Sequence, residues 1–546
     1  MVTLKTTSEE VRTVTPAAMP TFGLSYRIAF AIIGAITAAL FLAILKINHG
    51  TFTYTLDDPY IHLALSSQIL HGNYGIHAGQ YAAPSSSILF PFLLAAAAGT
   101  RLHPYLPLIL NVAALFLTIE IIRRFFVHLE LARDNIGAMV LAGGVVLMAI
   151  CLNIIGVVFT GLEHSLHVAS VAAIIYGLAR FLDERKMPAW LPAAIVLCPL
   201  LRYEGLPLSL AAIAVLAIRG KWRAAAITFA VVFLLVAGFS VFLITLGLGP
   251  LPSSVLMKST VAADGVAAAG GNFIASMIIN AIVMCGYRAG FLLLLAGAAA
   301  GARCLLESPA KPRDWTSQGL MSMVLFCMVA GHAMAGQFGR FYRYEVYILV
   351  GAVLIGVYLM QKTIRGVLGH SGDRRLVLVL AATFCFLLAT ASYIQAITLV
   401  PIAANNIFEQ QFQMHRFVKD FYRAPVAVND LGLVSYRNPY FVLDLGGLAS
   451  RKARIMDLSK PDPTAYDALL RSSGVHLAII YDEIFVGRIP GDWQKIGTMD
   501  LSRPAVSSAE SDLQFYATDP ATAIKARIEL ANFQKTLPSG VKLVIH

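Results

Sequence analysis

The chain has 546 residues, 58% apolar and only 13% charged, with a mean hydropathy of +0.71; soluble proteins are about half apolar, so a soluble protein is excluded. The net charge of +11 resides in short loops between apolar blocks, which is a topology signal. No basic stripe interleaved with aromatics and no zinc-finger spacing is present, so a nucleic-acid partner is set aside. The six cysteines, Cys151, Cys198, Cys285, Cys304, Cys327 and Cys385, lie in or beside apolar segments and offer neither a disulfide framework nor a C-x-x-C metal site.

Residues 1–27 are polar, with Lys5, Arg12 and Arg27, and read as a cytoplasmic tail. The run from Ile28 to Ile47 is longer than a signal-peptide core and lacks a convincing cleavage site, which predicts an uncleaved first span. Residues 48–103 form the first outer loop, hydrophilic to about Pro84. Its apolar block 87–100 falls short of the roughly 20 residues that cross a bilayer and predicts an interfacial helix. Further spans are predicted at 104–122, 137–158, 165–181, 189–201, 204–218, 224–246, 284–302, 318–336, 342–361 and 376–399, eleven crossings with the first. A second interfacial helix is predicted at 272–283.

This parity puts Arg123, Arg124, Arg133, Arg185, Lys186, Lys221, Arg223, Arg313, Lys362, Arg374 and Arg375 on one side and few cations on the other. The positive-inside rule makes the crowded side cytoplasmic and the carboxy-terminal region extracytoplasmic. In that region Val426–Asn429, Tyr440–Leu443 and Val475–Tyr481 read as buried strands, and Pro463–Ser472 and Thr522–Lys535 as helices. The expected fold class is a polytopic α-helical membrane domain, residues 28–399 with about eleven transmembrane helices, followed by a small α/β extracytoplasmic domain, residues 400–546.

The polar clusters gather on the outer side. Asp57-Asp58-Pro59-Tyr60-Ile61-His62 places paired carboxylates beyond the first span, where one can act as a general base or cap the following helix. Arg202-Tyr203-Glu204 lies between two short apolar blocks, which predicts a recessed ion pair serving either a polar cavity or a helix hairpin. Gly161-Leu-Glu163-His164 also reads as an ordinary helix start. Lys258, below Pro252-Ser253-Ser254, suits a phosphate or a plain surface loop. Arg340 and Arg343 sit among aromatics that equally suit an interfacial belt, and Arg288 is expected as one more buried cation.

Together these residues resemble the GT-C superfamily of polytopic glycosyltransferases, which use polyprenyl-phosphate-linked sugars outside the membrane. Asp57-Asp58-Pro-Tyr-Ile-His62, with His71-Gly-Asn-Tyr-Gly75 and Ser85-Ser-Ser87, is similar to a first-loop pattern of acidic pair, aromatic, Glu-Gly-x-Gly and Ser/Thr-rich turn. Gly161-Leu-Glu163 resembles Gly-Met-Glu, Arg202-Tyr-Glu204-Gly resembles Arg-Pro-Glu/Asp-Gly, and Leu251-Pro-Ser-Ser-Val-Leu-Met-Lys258 resembles Leu-Pro-Asn-Thr-x-x-x-Lys. Val426-Ala-Val-Asn-Asp430-Leu-Gly432 and Asp444-Leu-Gly-Gly-Leu448 look like soluble-domain signatures that accompany such membrane domains, including the arabinofuranosyltransferase-like branch. The chain departs from the pattern at His71, Pro84 and Ser253-Ser254.

The resemblance implies inverting transfer of a sugar from a polyprenyl-phosphate donor to a glycan or lipid acceptor at the outer face of the plasma membrane. It implies Asp57 as base, with Asp58 orienting it or binding a metal, and His62, Glu163, Arg202, Tyr203, Glu204, Lys258, Arg288, Arg340 and Arg343 as substrate contacts. No cofactor is required, although a divalent metal ion is compatible with the acidic pair. A flippase, polymerase or ligase for prenyl-linked glycans is the alternative, as is a secondary transporter, for which the chain lacks a convincing internal repeat.

Overall fold

The computed structural model describes residues 20–546 except 133, 259–272, 308, 310, 312–313, 340, 371 and 457–461; the side chains of 20–22, 258 and 273–277 also lie outside the description. Helix α1 (Pro20–Ile47) leads into the first loop, which carries α2 (Asp58–Ile69) and the short α3 (Phe90–Ala95). The bundle continues through α4 (Leu106–His128), α5 (Asn135–Cys151), α6 (His164–Glu184), α7 (Leu191–Leu201), α8 (Leu206–Ile218) and α9 (Trp222–Thr245). After α10 (Ser253–Lys258) come α11 (Phe273–Cys285), α12 (Arg288–Glu307), α13 (Ser317–Ala335), α14 (Val346–Leu359), α15 (Gln361–Gly369) and α16 (Asp373–Thr398). Local chemistry starts several of them: the Asp134 carboxylate accepts from Gly137 N–H at 2.7 Å to open α5, and the Thr316 hydroxyl from Gly319 N–H at 2.9 Å to open α13.

The protein is a multi-pass membrane protein, and every segment expected to cross is helical. Among the described residues, however, only eight helices are long and apolar enough to span a bilayer, or nine if α14 and α15, bent by 72°, form one span. The expectation of eleven is corrected by α7 and α8. With 11 and 13 residues they reach about 17 and 20 Å, short of the roughly 30 Å hydrocarbon layer. The block 87–100 holds only α3 and turns, and the apolar stretch after 272 divides at Gly286-Tyr287 into α11 and α12. Helix α6 is mostly buried at the centre. By contrast α9 exposes Phe229, Phe233 and Leu234, and α16 exposes Leu376, Val377 and Phe384, faces suited to lipid.

Helix α16 runs on through α17 (Val400–Glu409) and α18 (Gln411–Arg416) into a π turn, one helical stretch from Asp373 to Tyr422. The α/β domain follows with β1 (Val426–Val428), α19 (Gly432–Ser435), β2 (Val442–Asp444), α20 (Arg451–Arg454), α21 (Pro463–Ser472), β3 (Leu477–Ile480), β4 (Gln494–Asp500), β5 (Asp512–Ala517), α22 (Pro520–Gln534) and β6 (Lys542–Ile545). The sheet order is β2-β1-β3-β5-β4-β6, with β1 parallel to β2 and β3 and the other pairs antiparallel. Strands β1 and β3 are wholly buried, as parallel strands covered on both faces must be. Because β2 and β3 flank β1 on opposite sides, a topological switch point lies at the carboxyl ends of β1 and β3. That end faces the first loop. Thr53 donates to the Ala404 carbonyl at 2.7 Å, and Arg437 to the Thr100 carbonyl at 2.6 Å.

Candidate active site

Asp57 stands in the capping position of α2 but makes no capping bond, which removes the helix-start explanation for it. Its carboxylate turns to the α/β domain instead, where Oδ2 accepts from Gly432 N–H at 2.6 Å and Oδ1 from Leu433 N–H at 2.8 Å. Both donors are the first residues of α19, which follows the loop leaving β1 at the switch point. Only glycine permits this approach: a Cβ on Gly432 would lie 2.2 Å from the Asp57 carbonyl oxygen and 2.6 Å from Oδ2. Asp430, two residues earlier, accepts from Tyr481 Oη and from Gln411 Nε2, each at 2.8 Å.

Burial pushes the Asp57 carboxyl well above the usual carboxylate range and the neighbouring Asp430 charge pushes it further, against the opposing pull of the two amide bonds. Burial raises Asp430 as well. Asp58 has a different environment. Its Oδ2 accepts from Arg343 at 2.7 Å, and the same guanidinium nitrogen also lies 2.9 Å from the Tyr344 hydroxyl.

The start of α6 is pressed against this loop. Gly161 has φ +67°, and a Cβ there would lie 2.5 Å from the Tyr54 ring and 2.8 Å from Pro59 Cβ, so glycine is needed on both counts. Glu163 makes no capping bond at the start of α6. Its Oε1 accepts from Arg202 at 2.7 Å and from Ser86 Oγ at 3.1 Å, while Oε2 has no hydrogen-bond partner and lies 3.9 Å from His62 Nε2. At the end of α7 the backbone of Arg202 is extended, and a short turn over Tyr203–Gly205 starts α8. Arg202 is only 2% exposed and donates its second terminal nitrogen to Glu204 at 2.6 Å. Arg202 and Arg343 both lie against the Tyr344 ring, 5.5 and 4.8 Å from its centroid.

A cavity of about 310 Å³ opens at this network. Arg202, Tyr203, Glu204, Ser86, Gln337 and Tyr344 supply polar groups to its lining, and Leu206, Pro207, Val255, Met334 and Ala335 supply apolar ones. Ser254 contributes from the α10 turn, and its buried hydroxyl has no partner. The structure therefore brings together Asp58, His62, Glu163, Arg202, Tyr203, Glu204 and Arg343, with Asp57 on the other side of the α2 start. Asp57 itself does not line the cavity.

Arg288, expected to be buried, is exposed. The break before α12 makes it the first residue of that helix, and its guanidinium reaches the Leu388 carbonyl at 3.5 Å. Arg133, Arg313 and Arg340 lie outside the described residues, as does the side chain of Lys258. Among the described residues no group of three or more His, Cys, Asp or Glu is arranged to hold a metal ion. Sequence reasoning missed Asp430 and the amides of Gly432 and Leu433 as partners of the acidic pair. Asp430 stands in a quoted motif, but backbone donors leave no mark in residue types.

A family model described as a domain of unknown function (DUF8728) matches residues 405–516, from within α17 to within β5. No curated protein matches the chain. Among solved structures the chain is similar to a crystal structure of ArnT from Cupriavidus metallidurans in the apo state. The identity is 12%, the match covers 92% of this chain and 99% of that one, and the TM-score is 0.43.

Proposed function

We propose that the protein is a GT-C-type inverting glycosyltransferase that moves a sugar from a polyprenyl-phosphate donor to an extracytoplasmic glycan or lipid acceptor at the plasma membrane. The observation that carries this reading is the pair of buried arginines around Tyr344. Arg202 and Arg343 each keep an Nε–H without a hydrogen-bond partner and share the Tyr344 ring, and Arg202 and Tyr344 line a cavity whose lining is otherwise largely apolar. Phosphate oxygens are the natural acceptors for such donors, while a prenyl chain fits the apolar wall and the lipid beyond it.

In the proposed reaction the acceptor hydroxyl oxygen bonds to the anomeric carbon as the bond from that carbon to the phosphate oxygen breaks. The hydroxyl proton passes to a carboxylate, and the departing phosphate keeps the electron pair, its charge met by guanidinium groups. Of the acidic pair, Asp57 suits the base. Asp58 is neutralised by Arg343, which weakens it as a proton acceptor, whereas Asp57 is held by uncharged amides and has its proton affinity raised by burial and Asp430. His62, Glu163, Glu204 and Tyr203 then shape the headgroup site.

The test uses the full-length protein in lipid nanodiscs, with polyprenyl-phosphate hexose and pentose donors carrying radiolabelled sugars and an envelope glycolipid extract as acceptor. Wild type transfers label. Asp57→Asn lowers the rate by about 10²–10⁴-fold with normal insertion and melting, the range expected for loss of a positioned base. Full activity in Asp57→Asn, or movement of intact labelled donor across the bilayer without transfer, refutes the reading.

A further inference from the structure

Away from the arginine site, two cavities of about 400 and 320 Å³ lie along the seam between the first loop and the α/β domain. They share Ile76, His77, Gln80 and Phe441 and so adjoin as the two halves of one cleft region. His77 pins its floor, with Nε2 2.9 Å from the carbonyl oxygen of Val442 on the edge strand β2 and the ring packed edge-on to Phe441 at 4.9 Å. The walls mix side-chain amides and hydroxyls, such as Gln68, Asn438 and Ser450, with the aromatic Tyr440 and Tyr81. Such a mixture suits a polyhydroxylated chain, whose hydroxyls need paired partners and whose ring faces need apolar ones.

The cleft also has a sign. Arg437 stands in one half, and Arg451 and Lys452 in the other. Among the described residues, the only carboxylate lining it is Asp444. Both its oxygens are engaged within its own loop, by Gly446 N–H at 2.8 Å and Ala449 N–H at 2.6 Å. The first-loop helix ties this cleft to the proposed reaction centre. Asp58 opens α2, while Ser67 and Gln68, near its end, line the cleft, an axial offset of about 15 Å at 1.5 Å per residue.

We propose that this cleft binds an anionic oligosaccharide segment of the acceptor, bearing uronate or phosphate groups, several units from the hydroxyl that reacts. The inference rests on the glycosyltransferase reading for its biological meaning, but the binding is measurable without a donor. Full-length protein in zwitterionic nanodiscs is titrated calorimetrically with tetragalacturonate, phosphorylated maltotetraose and neutral maltotetraose.

At least one anionic tetramer binds, and the neutral one binds more weakly by about tenfold or more, the worth of one charge-assisted hydrogen bond. Lys452→Glu and Gln80→Ala change exposed side chains. The first weakens anionic binding by about tenfold and the second by a smaller factor. No binding of either anionic tetramer, equal binding of the neutral one, or unchanged binding in Lys452→Glu overturns the proposal. So does a Lys452→Glu defect confined to phosphatidylglycerol vesicles, which would make the seam a lipid contact. Binding without sugar transfer would refute only the proposed function, and transfer without binding only this inference.

Discussion

The two ends of the helical bundle use charge in opposite ways. At the end away from the cavity the ion pairs are partly exposed: Arg375 reaches the half-exposed Asp134 at 2.8 Å, while Glu120 with Arg123, Arg180 with Glu184 and Arg303 with Glu307 join residues one helical turn apart at 2.7 to 2.9 Å. Each of the last three is worth about 0.3–0.5 kcal/mol, because solvent screens it and two long side chains lose freedom. At the cavity end Arg202 meets Glu163 across 39 residues, and Arg343 meets Asp58 across 285. Their guanidinium groups are nearly buried, and removing such a group from water costs several kcal/mol. A pair with that penalty is a poor device for stability. Its presence at a cavity indicates that position and charge are needed there.

The contrast breaks most readily at Arg202. Arg202→Gln leaves Glu163 and Glu204 without their buried cation and is expected to destabilise the bundle by roughly 3–5 kcal/mol, with sugar transfer abolished. Thermal melting in nanodiscs and the transfer assay check both; unchanged melting would make the cavity pair no different from the distal ones. Arg202→Lys, which restores charge without the planar fork, is expected to recover part of the stability and little of the transfer.

A subtler effect is expected at Asp430. A carboxylate base works only when deprotonated, so its raised proton affinity makes the rate fall, as pH drops, earlier than an ordinary carboxylate would. Asp430→Asn removes the repelling charge from Asp57 while keeping a group of the same shape, so the acidic limb of kcat/KM shifts to lower pH. A limb that stays in place would assign it to another group. The smallest effect is expected at the distal end, where Arg180→Ala changes stability by less than about 0.5 kcal/mol and leaves transfer intact.

The residue pattern displayed the long helices and several tail elements because their causes are local. Pro463–Ser472 is helical over the predicted range, since Asp462 accepts from Thr464 and Ala465 N–H and Pro463 occupies the first turn. Val426–Val428 and Leu477–Ile480 announce themselves as short β-branched or aliphatic runs. The antiparallel β4, β5 and β6 were missed: Gln494–Asp500 mixes Lys, Gly and Thr into its length and is stabilised by its neighbours more than by its own composition. At the site, Arg202 and Glu204 were legible from the shortness of their flanking blocks. The pairing of Arg343 with Asp58 and the amide clamp on Asp57 were not, because they join points 285 and about 375 residues apart through folding alone.

The near-continuous helical run from Asp373 to Tyr422 has a practical consequence. A domain mounted on a helical stem, and fastened again by the Asp57 clamp, should not wander on a tether. An antibody fragment raised against its sheet would then serve as a rigid marker for orienting particle images of an otherwise featureless bundle in a lipid disc.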